Sequence, residues 1–231
     1  YKVSEEIDIK EESFNVDILF VVDNSMSMSA EQENMSKRIS HFIDKISDLN
    51  WNIGVTTTDP NVSVTGGDGK LIRFPNRRLV LDSYSMNPVA AQNLLGQAVE
   101  MSTSGSSSEQ GISATFRSLE RDIHGDDFGA NLYRDQSALA VILISDEDET
   151  GEEYRNQPDN LINFVKQQWP QKVFSFHSII TQPGDVTCKD QGWDHIYGER
   201  YEELSFKTGG IVGSVCEPDY SSQLAELGQG V

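Results

Sequence analysis

Two short polar strings carry the residues best suited to chemistry. One is Asp23-Asn24-Ser25-Met26-Ser27 and the other is Asp146-Glu147-Asp148-Glu149. Carboxylate and hydroxyl oxygens are hard donors. With no His or Cys beside them in sequence, they suit Mg²⁺, Mn²⁺ or Ca²⁺ rather than Zn²⁺. Asp23, Ser25 and Ser27 stand at i, i+2 and i+4, so an extended turn can aim all three at one ion. Neutral hydroxyls coordinate without adding charge, which leaves the ion electrophilic and able to accept an acidic group from a partner. A Ser-rich run, 102–108, offers hydroxyls from a third place in the chain. His41, His124, His177 and His195 are scattered, and no pair has metal-ligand spacing.

Donors so far apart in sequence need elements that bring them together. Val16–Val22 and Ala138–Ile144 are short, nearly continuous apolar runs, and each ends directly at one of the polar strings. Such runs read as strands buried on both faces, the usual state in a parallel sheet. Further strands are expected at 53–58, 172–180 and 210–215, with a weak edge strand at 5–11. Helical spacing covers 35–49 (Met35, Ile39, Phe42, Ile43, Ile46, Leu49), 89–101, 158–169, 198–208 and 220–227. Another helix should start at Glu109, with Ser108 as its N-cap. Residues 59–88 hold Gly66-Gly67, Pro60, Pro75 and Pro88 and read as a long loop insertion, with a hairpin around 71–81. Strands alternating with helices argue for one open α/β domain: a Rossmann-like, mostly parallel central sheet with helices on both faces. Ligands of such sheets bind beyond the carboxyl ends of the strands, where both polar strings lie.

Composition narrows the function. The chain has 231 residues, with 18 Lys and Arg against 37 Asp and Glu, a formal charge of −19. That balance weighs against a phosphate-reading nucleic-acid binder, which needs a basic patch. No run of about 18 apolar residues reads as a membrane span. Residue 1 opens a polar, charged stretch rather than a signal peptide. The run Glu147-Asp148-Glu149 reads as a solvated acidic stretch, and Trp51, Trp169 and Trp193 as packing residues. Cys188 and Cys216 have no CxxC spacing and are either two separate thiols or a disulfide.

The segment Val16-Asp17-Ile18-Leu19-Phe20-Val21-Val22-Asp23-Asn24-Ser25-Met26-Ser27-Met28 resembles the opening of a von Willebrand factor A domain, whose DxSxS begins a metal-ion-dependent adhesion site. The resemblance extends over about residues 14–228 and looks closest to bacterial extracytoplasmic members. It implies a Rossmann-like fold and two further site elements. Leu143-Ile144-Ser145-Asp146 resembles the later strand with its Asp. Gly105 to Ile112 stands where the family has a Thr-bearing loop; no Thr is present, and counting back from Gly111-Ile112 puts Ser106 at that position. Ser107, Ser108 and Glu109 stay open as rivals. The implied site is therefore Asp23, Ser25, Ser27, Ser106 and Asp146 around a divalent cation, Mg²⁺ first, then Mn²⁺ or Ca²⁺.

The resemblance also implies an extracytoplasmic setting, in the periplasm, on the outer surface or secreted. A Cys188–Cys216 disulfide then follows. It would close a loop of about 28 residues and contribute roughly 3–4 kcal/mol in the chain-entropy model. A lipid anchor would have to come from a removed leader. The expected function is a non-enzymatic, cation-dependent protein-binding or adhesion module, whose partner offers a Glu or Asp carboxylate. Two alternatives are a metal-assisted, phosphatase-like hydrolase and a metal-independent scaffold subunit of an envelope complex. Against the hydrolase, Asp23-x-Ser25 lacks the second Asp of haloacid-dehalogenase phosphatases, and no P-loop or GxSxG elbow is present.

Overall fold

The computed structural model describes residues 14–126, 130–192 and 195–231. The expected edge strand at 5–11 and Trp193 lie outside the described residues. Strand β1 (Asn15–Val22) runs at the centre, and β4 (Ala138–Ser145) pairs with it in parallel. Both have seven consecutive buried residues. Their side chains alternate between two cores. Ile18, Phe20, Val22, Ala140, Ile142 and Ile144 face one. Leu19, Val21, Leu139, Val141 and Leu143 face the other. This is why the runs are unbroken in sequence: a strand covered on both sides has no polar face to show.

The sheet has six strands in the order β3-β2-β1-β4-β5-β6. β2 (Asn50–Thr57), β5 (Phe174–Ile180) and β6 (Val212–Ser214) are parallel to their neighbours, and only β3 (Leu81–Asp82) runs antiparallel, beside β2. On the first core lie α1 (Ser29–Lys45), α2 (Pro88–Val99) and α7 (Ser221–Gly230), through residues such as Phe42, Leu95 and Leu224. On the second lie α3 (Gly111–His124), α4 (Pro158–Gln168) and α6 (Glu199–Thr208), through Phe116, Leu161 and Tyr201. A short helix, α5 (Val186–Lys189), follows β5. Trp51 is buried in the first core, and Trp169 packs on the edge of the second.

Three local expectations are corrected. The segment 71–81 does turn back on itself, at Pro75, with Phe74 N–H donating to the Arg78 carbonyl (2.8 Å) and Arg77 at positive φ, but no two-stranded hairpin follows: Leu81–Asp82 is its one strand among the described residues, and the other arm meets β2 through the Ile72 N–H to the Val55 carbonyl (2.8 Å). The helix expected from Glu109 begins at Gly111, and Ser108 does not cap it; the Ser108 hydroxyl bonds the Thr150 hydroxyl instead (2.8 Å). Glu147-Asp148-Glu149 is not a solvated run, since Glu147 and Glu149 are buried. Glu149 is the cap that Ser108 is not: its carboxylate accepts the N–H groups of Ile112 (2.7 Å) and Ser113 (3.1 Å) at the start of α3. Asp148 likewise accepts the N–H of Arg200 in the first turn of α6 (3.1 Å).

The loop after β2 is anchored rather than loose. Asp68 accepts two bonds from the Arg117 guanidinium (3.0 and 3.1 Å) and a further one from Arg121. At the opposite end of the sheet, buried Asp17 is paired with Arg134 (2.7 Å) and accepts the Ser137 hydroxyl. Cys188 and Cys216 form a disulfide, tying α5 to the segment after β6.

Candidate functional site

The strand order runs from β1 to β2 on one side and from β4 to β5 on the other, so the reversal lies between β1 and β4. In open α/β sheets this switch point opens a crevice beyond the strand ends. Asp23 and Asp146 come directly after these two strands. Asp23 N–H donates to the Ile144 carbonyl (3.0 Å), which locks one strand end to the other.

The Asp23 carboxylate accepts the Ser25 N–H at Oδ1 (2.8 Å) and the Ser145 hydroxyl at Oδ2 (2.6 Å). The first bond makes the turn that carries the two serines, and the Ser25 and Ser27 hydroxyls lie 3.0 Å apart. Gln32, in the first turns of α1, donates to the Asp23 carbonyl (2.8 Å) and accepts the Met101 N–H (3.0 Å), so α1 and the end of α2 brace the same turn. Asp146 is fully buried. Its carbonyl accepts the Thr181 hydroxyl (3.1 Å) and the Ile196 N–H (2.9 Å), yet among the described residues neither carboxylate oxygen is in hydrogen-bond geometry with a donor, and the Ser27 hydroxyl acts on the carboxylate without meeting that geometry.

The Ser-rich loop supplies the third side. Gly105 N–H donates to the Asn24 carbonyl (2.9 Å), and a Cβ at Gly105 would fall 2.5 Å from the Asn24 side chain, so this approach requires glycine. Ser106 N–H donates to Asp59 (2.9 Å), and its hydroxyl accepts the Ser108 N–H (3.0 Å). Ser107 is exposed. Glu109 is fully buried; one carboxylate oxygen accepts the Thr58 hydroxyl and the other has no hydrogen-bond partner among the described residues.

These acids share one field. Burial pushes Asp23 up to about 6, and the charge of Asp146 adds to it, against the bonds from Ser145 and Ser25. Burial also pushes Glu109 up to about 9, with further repulsion from Asp23, Glu147 and Asp59. Asp146 is raised by burial, while Ser27 and His195 hold it down. Among the described residues no Lys or Arg pairs with Asp23, Glu109 or Asp146. Buried carboxylates that repel one another and keep unpartnered oxygens fit a cation, whose charge would offset both costs. The donors present are hard oxygens, as a divalent Mg²⁺-like ion requires.

Asp23, Ser25, Ser27 and Asp146 thus meet at one strand reversal. Ser106 lies on the adjoining loop with its hydroxyl engaged, and Glu109 is the loop residue whose charge reaches Asp23. Sequence reasoning missed Gln32, Glu31 and His195. The first two fall in the first turn after the DxSxS, where helical spacing could have found them. His195 lies in an irregular stretch that has no periodic signal. It stands 3.5 Å from Asp146 through Nε2. A groove of about 440 Å³, lined by Ser27, Glu31, His195 and Cys216 among others, opens beside them.

Several solved structures share this architecture. The chain is similar to the TFIIH p34 N-terminal domain (TM-score 0.54, 12% identity, covering 95% of this chain and 98% of that one). It is also similar to proximal thread matrix protein 1 from the mussel byssus (0.53, 11%, 94% and 49%). A third is the pilus adhesin SpaC from Lactobacillus rhamnosus GG, open conformation (0.56, 11%, 95% and 30%). The fold is Rossmann-like, of the von Willebrand A type. At these identities the likeness speaks for the fold alone. The chain spans about half the length of the byssus protein and under a third of SpaC. No protein-family model and no curated protein sequence matches it.

Proposed function

We propose that this chain is a protein-binding module of the von Willebrand A kind, built around a divalent cation. The observation that carries the reading is Asp146: fully buried, beside Asp23 at the strand reversal, with neither oxygen in hydrogen-bond geometry with a donor among the described residues. Asp23, Ser25, Ser27 and Asp146 would hold the ion, with Ser106 or Glu109 completing the set from the adjoining loop. An oxygen-only set suits Mg²⁺, with Mn²⁺ and Ca²⁺ as alternatives. The ion would supply a positive charge with an open position for a partner's Glu or Asp carboxylate. The residues around it prepare the site: Gln32 and Ser145 fix Asp23, and the carbonyl bonds of Asp146 fix its backbone while leaving its carboxylate free. The disulfide supports an oxidising, extracytoplasmic setting. The reading is of a binder without turnover.

Calorimetric titration with Mg²⁺, Mn²⁺ and Ca²⁺ tests it. One site should fill in the wild type, and Asp23→Ala and Asp146→Ala should each weaken it by tenfold or more. A peptide-display library panned on Mg²⁺-loaded protein should yield clones enriched in Asp and Glu that EDTA releases. No saturable binding of any of the three ions would sink the metal reading. Clones that EDTA leaves bound would favour a metal-independent scaffold.

A further inference from the structure

We infer that the His195 imidazole is a nitrogen donor of the same centre, so that the ion preferred there is a nitrogen-accepting transition-series cation such as Zn²⁺ or Co²⁺ rather than Mg²⁺ or Ca²⁺. This rests on the metal-binding reading above and departs from its oxygen-only donor set. The ring's orientation is the first ground. His195 Nδ1 lies 2.9 Å from the Cys188 carbonyl, which only accepts, so Nδ1 carries the proton. In the neutral ring Nε2 therefore presents a lone pair. It points at Asp146 Oδ2 across 3.5 Å, and no hydrogen bond joins them, because that oxygen has no partner. With the ring neutral, two acceptors face each other, one of them on a fully buried side chain; with the ring protonated, the same contact is an ion pair. Their separation is close to the ~3.4 Å edge between neighbouring ligands of a tetrahedral ion with bonds of about 2.1 Å.

The ring is held in that pose from behind and below. Cys216 Sγ lies 3.7 Å from Nδ1. A Cβ at Gly192 would fall 2.0 Å from the imidazole, so only glycine leaves room for it. A metal-bound His usually has its other nitrogen fixed to a carbonyl or carboxylate, as here to Cys188. The sulfurs of Cys188 and Cys216 lie within 4.8 Å of the same ring, but they are joined to each other and offer no thiolate. That leaves Asp146 as the partner donor. The groove beside Ser27, Glu31 and His195 gives an entry path and space for further ligands. Glu31 has a buried Oε2 with no hydrogen-bond partner among the described residues, and its charge acts on Asp146. Imidazole nitrogen beside carboxylate moves preference from Mg²⁺ and Ca²⁺ toward Zn²⁺.

The test uses the full oxidised chain. Mn²⁺-loaded wild type is examined by pulsed EPR, and wild type and His195→Gln are titrated with Zn²⁺ and with Mg²⁺. The expected result is an imidazole nitrogen coupling in the wild type that His195→Gln abolishes. Zn²⁺ affinity should fall about tenfold or more in the variant, and by a larger factor than Mg²⁺ affinity does. Mn²⁺ bound without nitrogen coupling would overturn this inference, leave the oxygen-only site standing, and make His195 an ion-pair partner of Asp146 only. Failure of all the metals to bind would overturn the metal reading itself. The spectrum of the wild type does not depend on whether the variant folds.

Discussion

Glu109 is the residue where chemistry and stability meet most directly. Its carboxyl, pushed up to about 9, sits among Asp23, Glu147 and Asp59 with one oxygen bonded to Thr58. In metal-free protein such a group holds a proton when folded that it would release when unfolded, between its unfolded value near 4.3 and about 9. Its contribution to stability is therefore complete below about 4 and is lost as pH rises through about 9. Glu109→Gln keeps the Thr58 bond and removes the titration. In EDTA, the unfolding temperature of the Gln variant should climb relative to wild type from pH 5 to pH 9. A flat difference would mean that no raised carboxyl is present. That Asp23, Ser25, Ser27 and Asp146 lie together beyond two strand ends was legible in the sequence, because each string follows an apolar run that reads as a buried strand. Glu109 was legible only as one rival among four, since four consecutive polar residues of a loop carry no periodicity. In the structure Ser107 is exposed, Ser106 and Ser108 are half-buried and Glu109 is buried.

At the scale of elements, the helix after the Ser-rich loop depends on a cap from a distant part of the chain. Glu149 satisfies two N–H groups at the start of α3 and accepts a third bond from Asn156 (2.7 Å). Burial pushes its pKa up to about 8 against those donors. A helix N-terminus favours a carboxylate, and orphaned buried N–H groups cost about 1–3 kcal/mol. Glu149→Ala should lower stability by about that amount in urea unfolding, and Glu149→Gln by less. Because α3 follows Glu109 directly, cation affinity should fall with Glu149→Ala as well. The strands and most helices were readable from period and length. The missed cap was not, because local reading looks for an N-cap beside the helix, whereas tertiary contact supplied one from the loop after β4. The expected hairpin failed for a similar reason. Leu71 and Phe74 are drawn into different cores, one on each side of the sheet, so tertiary packing rather than strand pairing places this segment.

Over the whole molecule, the excess of 19 negative charges divides into unlike parts. Many acids coat the surface or pair with Arg and Lys, as Asp68 does with Arg117. A smaller set, Asp23, Glu109 and Asp146, is buried at one strand reversal. Composition could not show this division, because the reversal exists only once β4 lies beside β1. Asp59 has a consequence for the motion of this face. One of its oxygens holds the N–H of Asn61 (2.7 Å) in the loop after β2, and the other holds the N–H of Ser106 in the Ser-rich loop. A single carboxylate thus works as a pin through two separate stretches of chain. In hydrogen–deuterium exchange, the amides of Asn61 and Ser106 should open as one cooperative unit. Asp59→Ala should speed both together, while amides in β1 and β4 stay protected. If only one of the two responds, the loops move independently, and a partner that grips one would leave the other unaffected.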